Sequence, residues 1–421
     1  MADAACMAAL DGDAPFHAMI NCGDAAALCR YRQPSGSGAG YRGGIMTSEE
    51  RREARYLRRV AGRKARKAKY ESADSFDRVF SYEHLYRAYR CCRRNVAWKS
   101  SVQKYIVNAP LNLYQTYRRL QNGSYKSPGF FEFDVYERGK ARHIRSTIIG
   151  ERVVQRCLCD NALVPMLERS LIYDNGASMK KKGYDFAINR LTLHLRQHYR
   201  RYGTEGYILL FDFKKFFDNI DHAVITRHLR RAFSDQRLLD LVEHFVGMFG
   251  PVGLGLGSQI SQVLALVSAT RLDHFIKETL RIHAYARYND DGYLIHPSKK
   301  HLQECLVKIR ALCAELGITL NEKKTQIVKL SRGFTWLKAR FFLTDTGRVV
   351  RKIYKRSVTK MRQKLKKLRL RWLAEKMTFA DIAASWQSWK SYAQKFHAWH
   401  TVQNMGKLYN QLFLWEGQYV Y

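Results

Sequence analysis

Acidic residues are scarce in this chain. Its 421 residues hold 37 Asp and Glu against 73 Lys and Arg, a formal net charge of +36. An excess of that size calls for a polyanionic partner. With 46% hydrophobic and 13% aromatic residues the chain is a folded body, which excludes a disordered basic tail. Long apolar sequence is also missing. No run of about 18 or more apolar residues occurs, so no membrane span is expected. The positive charges are spread along the chain, which argues against a membrane surface and for a nucleic-acid polymer. The nine cysteines form no Cys-x-x-Cys pair and no Cys/His zinc spacing. Their odd number fits a reducing cytoplasm, the expected location. Cys91-Cys92 and Cys157-x-Cys159 are expected as buried thiols. Asp3 precedes the first basic residue and no basic stretch leads into an apolar core, so no signal peptide is expected.

Composition divides the chain. Residues 1–47 are rich in Ala and Gly, with Ser35-Gly36-Ser37-Gly38 and Gly43-Gly44, and are expected to be a disordered extension. The helical pattern opens just after Met46, which makes Met46 a second candidate start. Residues 48–128 read as a basic helical region opened by Ser48-Glu49-Glu50, a suitable N-cap with acids in the first turn. Ten of the residues from Arg51 to Lys69 are Lys or Arg. Tyr82, Leu85, Tyr86, Tyr89 and Trp98 are expected to face a core. Residues 129–345 mix strands and helices. Strands are predicted over Phe130–Tyr136, Ala141–Ile149 and Tyr207–Asp212, and a hairpin over Arg281–Ile295. Helices are predicted over Glu151–Leu167, Tyr184–Tyr202, Val263–Leu280 and Leu302–Leu316. The mixture predicts an α+β fold with an antiparallel sheet backed by helices. Residues 346–421 read as a basic helical C-terminal region.

Two acidic positions stand out against the general shortage. Tyr288-Asn289-Asp290-Asp291 falls at the tip of the hairpin, between apolar strands. Adjacent carboxylates there repel each other unless a cation lies between them. The apolar strand Tyr207–Phe211 ends in Asp212 and runs on as Phe213-Lys214-Lys215-Phe216-Phe217-Asp218, placing an acid at a strand end, where sheet proteins set functional side chains. Each has a plain alternative, an acidic surface turn or a helix-capping Asp. Taken together in so basic a chain, they are the parts of a two-metal phosphoryl-transfer site. Such a site needs carboxylates from separate strands around two Mg²⁺ ions about 3.5–4 Å apart.

With these residues in this order, the chain resembles a reverse transcriptase of the bacterial, group II intron-related kind over about residues 130–345. Arg142-His143-Ile144-Arg145 followed by Glu151-Arg152-Val153-Val154-Gln155 resembles the first fingers block. Asp174 to Gly183 resembles the block whose basic residues meet the triphosphate. Gly255-Leu256-Gly257-Ser258-Gln259-Ile260-Ser261-Gln262 is similar to the second palm motif, where glycines let backbone approach template base and nucleotide. Leu320-Asn321-Glu322-Lys323-Lys324-Thr325 resembles the motif whose Lys lies near the pyrophosphate. Gly333 to Lys338 resembles the primer grip. The resemblance implies a right-hand polymerase with fingers, palm and thumb. It implies that Asp212, Asp290 and the Phe213 carbonyl hold two Mg²⁺ ions, with Mn²⁺ as an alternative, and that Asp291 is an auxiliary acid. Arg142, Arg145, Lys180 and Lys182 fall to the triphosphate, Gly257, Ser258 and Gln259 to the nucleotide pocket, and Lys324 to the leaving group. Phe217 takes the position that favours deoxynucleotides. The implied partners are an RNA template, a DNA or RNA primer and dNTPs, joined by a structured non-coding RNA or an accessory protein.

Two departures mark the subclass. Leu256 stands where many relatives carry Gln, and an aliphatic residue there resembles diversity-generating retroelement enzymes; Gln262 stands where many relatives carry Pro. The Gly-Ser-Gln-Ile-Ser-Gln form also resembles phage-defence enzymes. Eleven Lys or Arg lie within residues 351–372, around a stripe of Val358, Met361, Leu365, Leu368 and Trp372. This predicts a basic thumb helix that tracks a duplex backbone, with Lys355, Arg356, Lys360, Arg362, Lys364 and Lys367 as candidate contacts. Trp386, Trp389, Tyr392, Phe396, Trp399 and Tyr409 are expected to pack the thumb helices. No RNase H acidic quartet and no His-Asn-His-like cluster follows residue 345. Two alternatives stay open: a template-independent DNA polymerase of a phage-defence system, and an intron-maturase-like RNA-binding protein.

Overall fold

The computed structural model describes residues 47–414 apart from 138 and 139, with the side chains of Glu137, Lys140 and Arg142 also left aside. The expected extension over residues 1–47 lies outside the described residues except for Thr47. That residue, not Ser48, caps the first helix, Ser48–Ala73, in a capping box with Glu50. Only Ala73 of this helix is buried. Its neighbour Tyr82–Cys92 buries a narrow stripe, Leu85, Ala88 and Tyr89. Tyr82, Tyr86 and Trp98 were expected in the core but lie exposed: burial in the helix is confined to Leu85, Ala88 and Tyr89, and Trp98 falls in the turns after it.

The strands β1 (Phe130–Glu137) and β2 (Lys140–Thr147) form an antiparallel ribbon. The predicted helix Glu151–Leu167 is interrupted. It runs Ile149–Leu158, passes through a π-helical turn at Cys159–Leu163 and resumes at Val164–Leu167. Pro165 has no N–H for the ladder, and the wider turn absorbs that missing donor. Cys157 and Cys159 are buried free thiols, and Cys91 and Cys92 are half-buried free thiols.

The central sheet is antiparallel, in the order β4 (Tyr285–Tyr288), β5 (Asp291–His296), β3 (Tyr207–Asp212), β6 (Gln326–Lys329). Alternation along each strand feeds two cores. Leu209, Phe211, Tyr285 and Leu294 face one, shared with helices such as Ile149–Leu158 and Gln259–Ser268. Ile208, Leu210, Ala286, Tyr288, Tyr293 and Ile295 face the other, shared with the helix Tyr184–Tyr202. A second sheet, β7 (Phe334–Trp336), β8 (Ala339–Leu343) and β9 (Val349–Ile353), closes that second core. The predicted helix Val263–Leu280 also differs. It is Gln259–Ser268, a break at Ala269, Thr270–His274 and a π turn at Phe275–Thr279. Thr270 Oγ1 (3.5 Å) and the Arg287 guanidinium (3.0 Å) both take the Leu266 carbonyl, which the ladder would otherwise use.

Helices Lys355–Leu373, Phe379–Gln394 and Trp399–Phe413 pack around a third core holding Met361, Leu365, Leu368, Trp386, Trp389 and Tyr409, with Val358 and Trp372 at its edge. Arg351 and Lys352, expected in the basic helix, lie on β9. Tyr392 and Phe396 turn to the second core, and Trp399 is exposed. The class is α+β, as expected, with an antiparallel central sheet backed by helices. No described helix is long and apolar enough to cross a membrane.

Candidate active site

Strand parity brings the carboxylates together. Asp212 shares its face with Ile208 and Leu210, and Asp291 shares its face with Tyr293 and Ile295. The two acids are register partners on β3 and β5, so they stand side by side on one face of the sheet. Tyr288 pairs with Asp291, leaving Asn289-Asp290 as a two-residue turn. Asn289 takes φ 52°, a left-handed conformation that Asn accepts more readily than most side chains, which explains the polar residue at this position. The Phe213 N–H donates to the Asp290 carbonyl at 3.1 Å. An extended residue points its N–H and C=O to the same side, so the Phe213 carbonyl also faces the turn.

Asp212 is 4% exposed and well partnered. Lys324 Nζ donates to its Oδ2 at 2.6 Å and Asn321 Nδ2 to its Oδ1 at 3.0 Å. The Asn321 N–H also donates to the Asp212 carbonyl at 2.7 Å. Burial, followed by the charges of Asp290 and Asp212, pushes the Asp291 carboxyl up to about 8. Lys324 is held above its ordinary range: burial acts to lower it, and the bond to Asp212 together with the charges of Asp212, Asp291 and Asp290 outweighs that. Among the described residues no three His, Cys, Asp or Glu side chains form a ready cluster for one ion. The donor chemistry nonetheless fits a hard divalent cation, with carboxylates on two paired strands and in the turn that joins β4 to β5.

The β1–β2 ribbon meets the body of the chain at the glycine-serine loop. The Arg145 N–H donates to the Leu256 carbonyl at 3.0 Å, and Arg145 Nη1 to the Phe249 carbonyl at 2.8 Å. Arg145 Nε also pairs with Glu132 at 2.9 Å, so its guanidinium is engaged within the protein. Gly257, at φ +111°, lies where a Cβ would come 2.9 Å from the Arg145 carbonyl oxygen. The close approach that this glycine permits here is to the backbone of β2. Ser258 Oγ donates to Gln155 Oε1 at 3.0 Å, Gln155 Nε2 to Glu151 Oε1 at 3.0 Å, and the Tyr125 hydroxyl to Glu151. Gln259 Nε2 reaches Asp160 at 3.5 Å. Phe217 is half-buried beside Phe216, and its carbonyl accepts from the Leu254 N–H at 2.7 Å.

The basic block divides. Lys180 is exposed, whereas Lys182 Nζ donates to the Tyr173 carbonyl at 2.7 Å and lies over the rings of Tyr173 and Phe186. Asp174, at the head of this block, is buried against Arg190 and Lys277, the latter at 2.7 Å. The Arg142 side chain lies outside the described residues, and its backbone is part of β2. On the helix Lys355–Leu373, Lys355, Arg356, Lys360, Arg362 and Lys367 are exposed and Lys364 is half-buried. Sequence reasoning missed Tyr125, Asn321, His194, Asp273 and Arg287. Arg287 alone carried a visible signal, a charge inside an otherwise apolar strand.

Residues 137–341 match the family model described as reverse transcriptase (RNA-dependent DNA polymerase). That span includes Asp212, Asp290, Asp291 and Lys324. The chain is also similar to the putative COX1/OXI3 intron 1 protein of Saccharomyces cerevisiae, at 26% identity over 127 residues, covering 28% of this chain and 15% of that protein. Among solved structures, telomerase from Candida albicans in complex with a TWJ fragment of telomeric RNA aligns with a TM-score of 0.46 and 12% identity, over 70% of this chain and 56% of that one. Apo telomerase from Candida tropicalis, truncated from the C-terminal domain, aligns with a TM-score of 0.40 and 14% identity, over 57% and 60%. The chain thus spans less than two thirds of each of these relatives.

Proposed function

We propose that this chain is an RNA-directed DNA polymerase that extends a primer with deoxynucleoside triphosphates on an RNA template. The observation that carries the reading is the side-by-side pairing of Asp212 and Asp291, with Asp290 in the adjoining turn, inside the segment that matches the reverse transcriptase model. Asp212 and Asp290, with the Phe213 carbonyl, would hold two Mg²⁺ ions, or Mn²⁺ in their place. Bound there, these ions supply charge neutralisation for the attacking 3′-oxygen and the leaving pyrophosphate.

The chain's own residues account for the remaining requirements. Lys324, whose half-exposed side chain pairs with Asp212, would lie within reach of the pyrophosphate leaving group. Phe217 stands four residues beyond Phe213 as the stop against a ribose 2′-hydroxyl. Arg145, docked on the loop before Ser258, keeps the fingers ribbon closed over the palm. The exposed basic face of Lys355–Leu373 suits the phosphates of a primer–template duplex.

Primer extension on a defined RNA template, with four dNTPs and Mg²⁺, tests this reading, and template-complementary DNA is the expected product. Product of biased composition made without template would assign an untemplated polymerase instead. Absence of any product, together with tight, salt-sensitive binding to one structured RNA, would assign an RNA-binding role.

A further inference from the structure

Arg287 is a fully buried guanidinium on β4, and nothing in the chemistry above uses it. It shares the parity of Tyr285, so it points to the sheet face opposite Asp212 and Asp291. There its Nε donates to Asp273 Oδ1 at 2.8 Å and its Nη2 to Asp273 Oδ2 at 2.6 Å. Nη2 also reaches the Leu266 carbonyl at 3.0 Å, and the Tyr285 hydroxyl donates to Asp273 Oδ1 at 2.6 Å. A buried ion pair is weak evidence of stabilisation, because apolar residues of similar volume often serve as well. A geometric role is the stronger account of why it is here.

The remaining guanidinium nitrogen supplies that role. Nη1 donates to the Asn289 carbonyl at 2.8 Å. A peptide is planar, so holding that oxygen fixes the plane between Asn289 and Asp290. The next plane, between Asp290 and Asp291, is fixed by the Phe213 N–H on the Asp290 carbonyl. Asp290 is therefore pinned on both sides, and the direction of its side chain is set from behind the sheet. The Arg287 backbone adds a second link: its carbonyl accepts from the Gly176 N–H at 2.8 Å, and its N–H donates to the Asp174 carbonyl at 3.3 Å. The segment leading to Lys180 is thus tied to the strand that carries the turn.

We propose that Arg287, oriented by Asp273, is a positioning residue that aims the Asp290 carboxylate at the metal site shared with Asp212. The activity readout rests on the polymerase reading, whereas the metal-binding readout does not. The test compares the parent with an Arg287→Met/Asp273→Leu double variant, which leaves no buried charge unpaired, and with Arg287→Lys, whose single ammonium cannot span both Asp273 and the Asn289 carbonyl. Each is measured for urea unfolding, Mn²⁺ binding by electron paramagnetic resonance, and kcat and KM for dNTP on a primed RNA template, with Asp290→Ala marking the palm-bound Mn²⁺.

Loss of such an outer partner typically costs about 10- to 100-fold in metal affinity or activity. Both variants should unfold cooperatively, bind Mn²⁺ at least about tenfold more weakly and lose kcat by a similar factor, with KM for dNTP within about twofold. A folded double variant with the parent's Mn²⁺ affinity would overturn the proposal. If the double variant does not fold, parent-like Mn²⁺ binding by Arg287→Lys overturns it equally. A parent that binds Mn²⁺ through Asp290 but extends no primer would sink the polymerase reading and leave the Mn²⁺ comparison to decide Arg287. A parent with no Asp290-dependent Mn²⁺ binding would overturn both.

Discussion

Replacing Gly292 by Ala should separate catalysis from folding in a measurable way. Gly292 follows Asp291 on β5 and pairs with Phe211, the residue before Asp212 on β3. A Cβ at this position would sit 2.2 Å from Phe211 Cζ and 2.6 and 2.7 Å from its Cε atoms. Carbon atoms pack comfortably at about 3.5–4.0 Å, so the ring or the strands must give by more than about 1 Å. The ring has little room to move. It is 2% exposed and lies against Phe213 and Tyr285, with centroids 5.6 and 6.4 Å away. Overpacking of this kind costs about 1–3 kcal/mol. The shift falls one residue from each of two paired carboxylates, and a misplacement of about 1 Å at a reacting centre can cost about 100-fold in rate. Gly292→Ala should therefore unfold cooperatively at a lower urea midpoint, yet lose about two orders of magnitude in single-turnover primer extension. Adding Phe211→Leu, which opens space beneath the new methyl, should restore part of the rate. Parent-like extension by folded Gly292→Ala would refute the claim that strand spacing sets the carboxylate geometry.

Further outcomes follow from other residues. His194 is buried, and burial pushes its pKa down from 6.5 to about 4; Asp174 pulls it up, and Lys277 and Arg190 pull it down. The unfolded chain then binds more protons between these values, so stability should fall as pH drops from 6.5 to 4, by up to about 3 kcal/mol. Urea midpoints against pH should show this slope, and His194→Gln should flatten it. Replacing Lys360 and Arg362 with Ala should weaken duplex binding evenly across sequences and reduce the slope of log affinity against log salt by about 1 to 2; an unchanged slope would remove that face from the duplex contact. Phe217→Val should raise ribonucleotide use relative to deoxynucleotide by roughly tenfold or more, read from kcat/KM for the two sugars. An unchanged ratio would show that Phe217 is packing alone.

The carboxylates were legible because they break simple patterns: Asp212 ends an apolar strand and Asp290-Asp291 interrupts an apolar hairpin. Period two then places Asp212 and Asp291 on one face, which the sequence implies only once the register is known. Partnerships across sequence distance were not legible. Nothing local to Gly257 shows that Arg145 lies against it, and nothing in Tyr285–Tyr288 points to Asp273 on a helix. The interrupted helices have the same origin. Pro165 was visible, but the capture of the Leu266 carbonyl by Arg287 depends on tertiary packing. Arg145 and Lys182 were read as free cations for a triphosphate, and both are hydrogen-bonded within the protein. Asn289 acquired its reason only from the backbone, since a left-handed φ leaves no mark in composition.

The central claim is that Asp212, Asp290 and Asp291 form the reacting centre of a template-directed polymerase. Single-turnover extension of a primed RNA template by Asp290→Ala tests it most directly, with urea unfolding run alongside to establish that the variant is folded. A folded variant that binds primer–template like the parent but incorporates dNTP at least about 10³-fold more slowly is the predicted result, a loss of about 4 kcal/mol in transition-state stabilisation. Incorporation at the parent's rate would contradict the account.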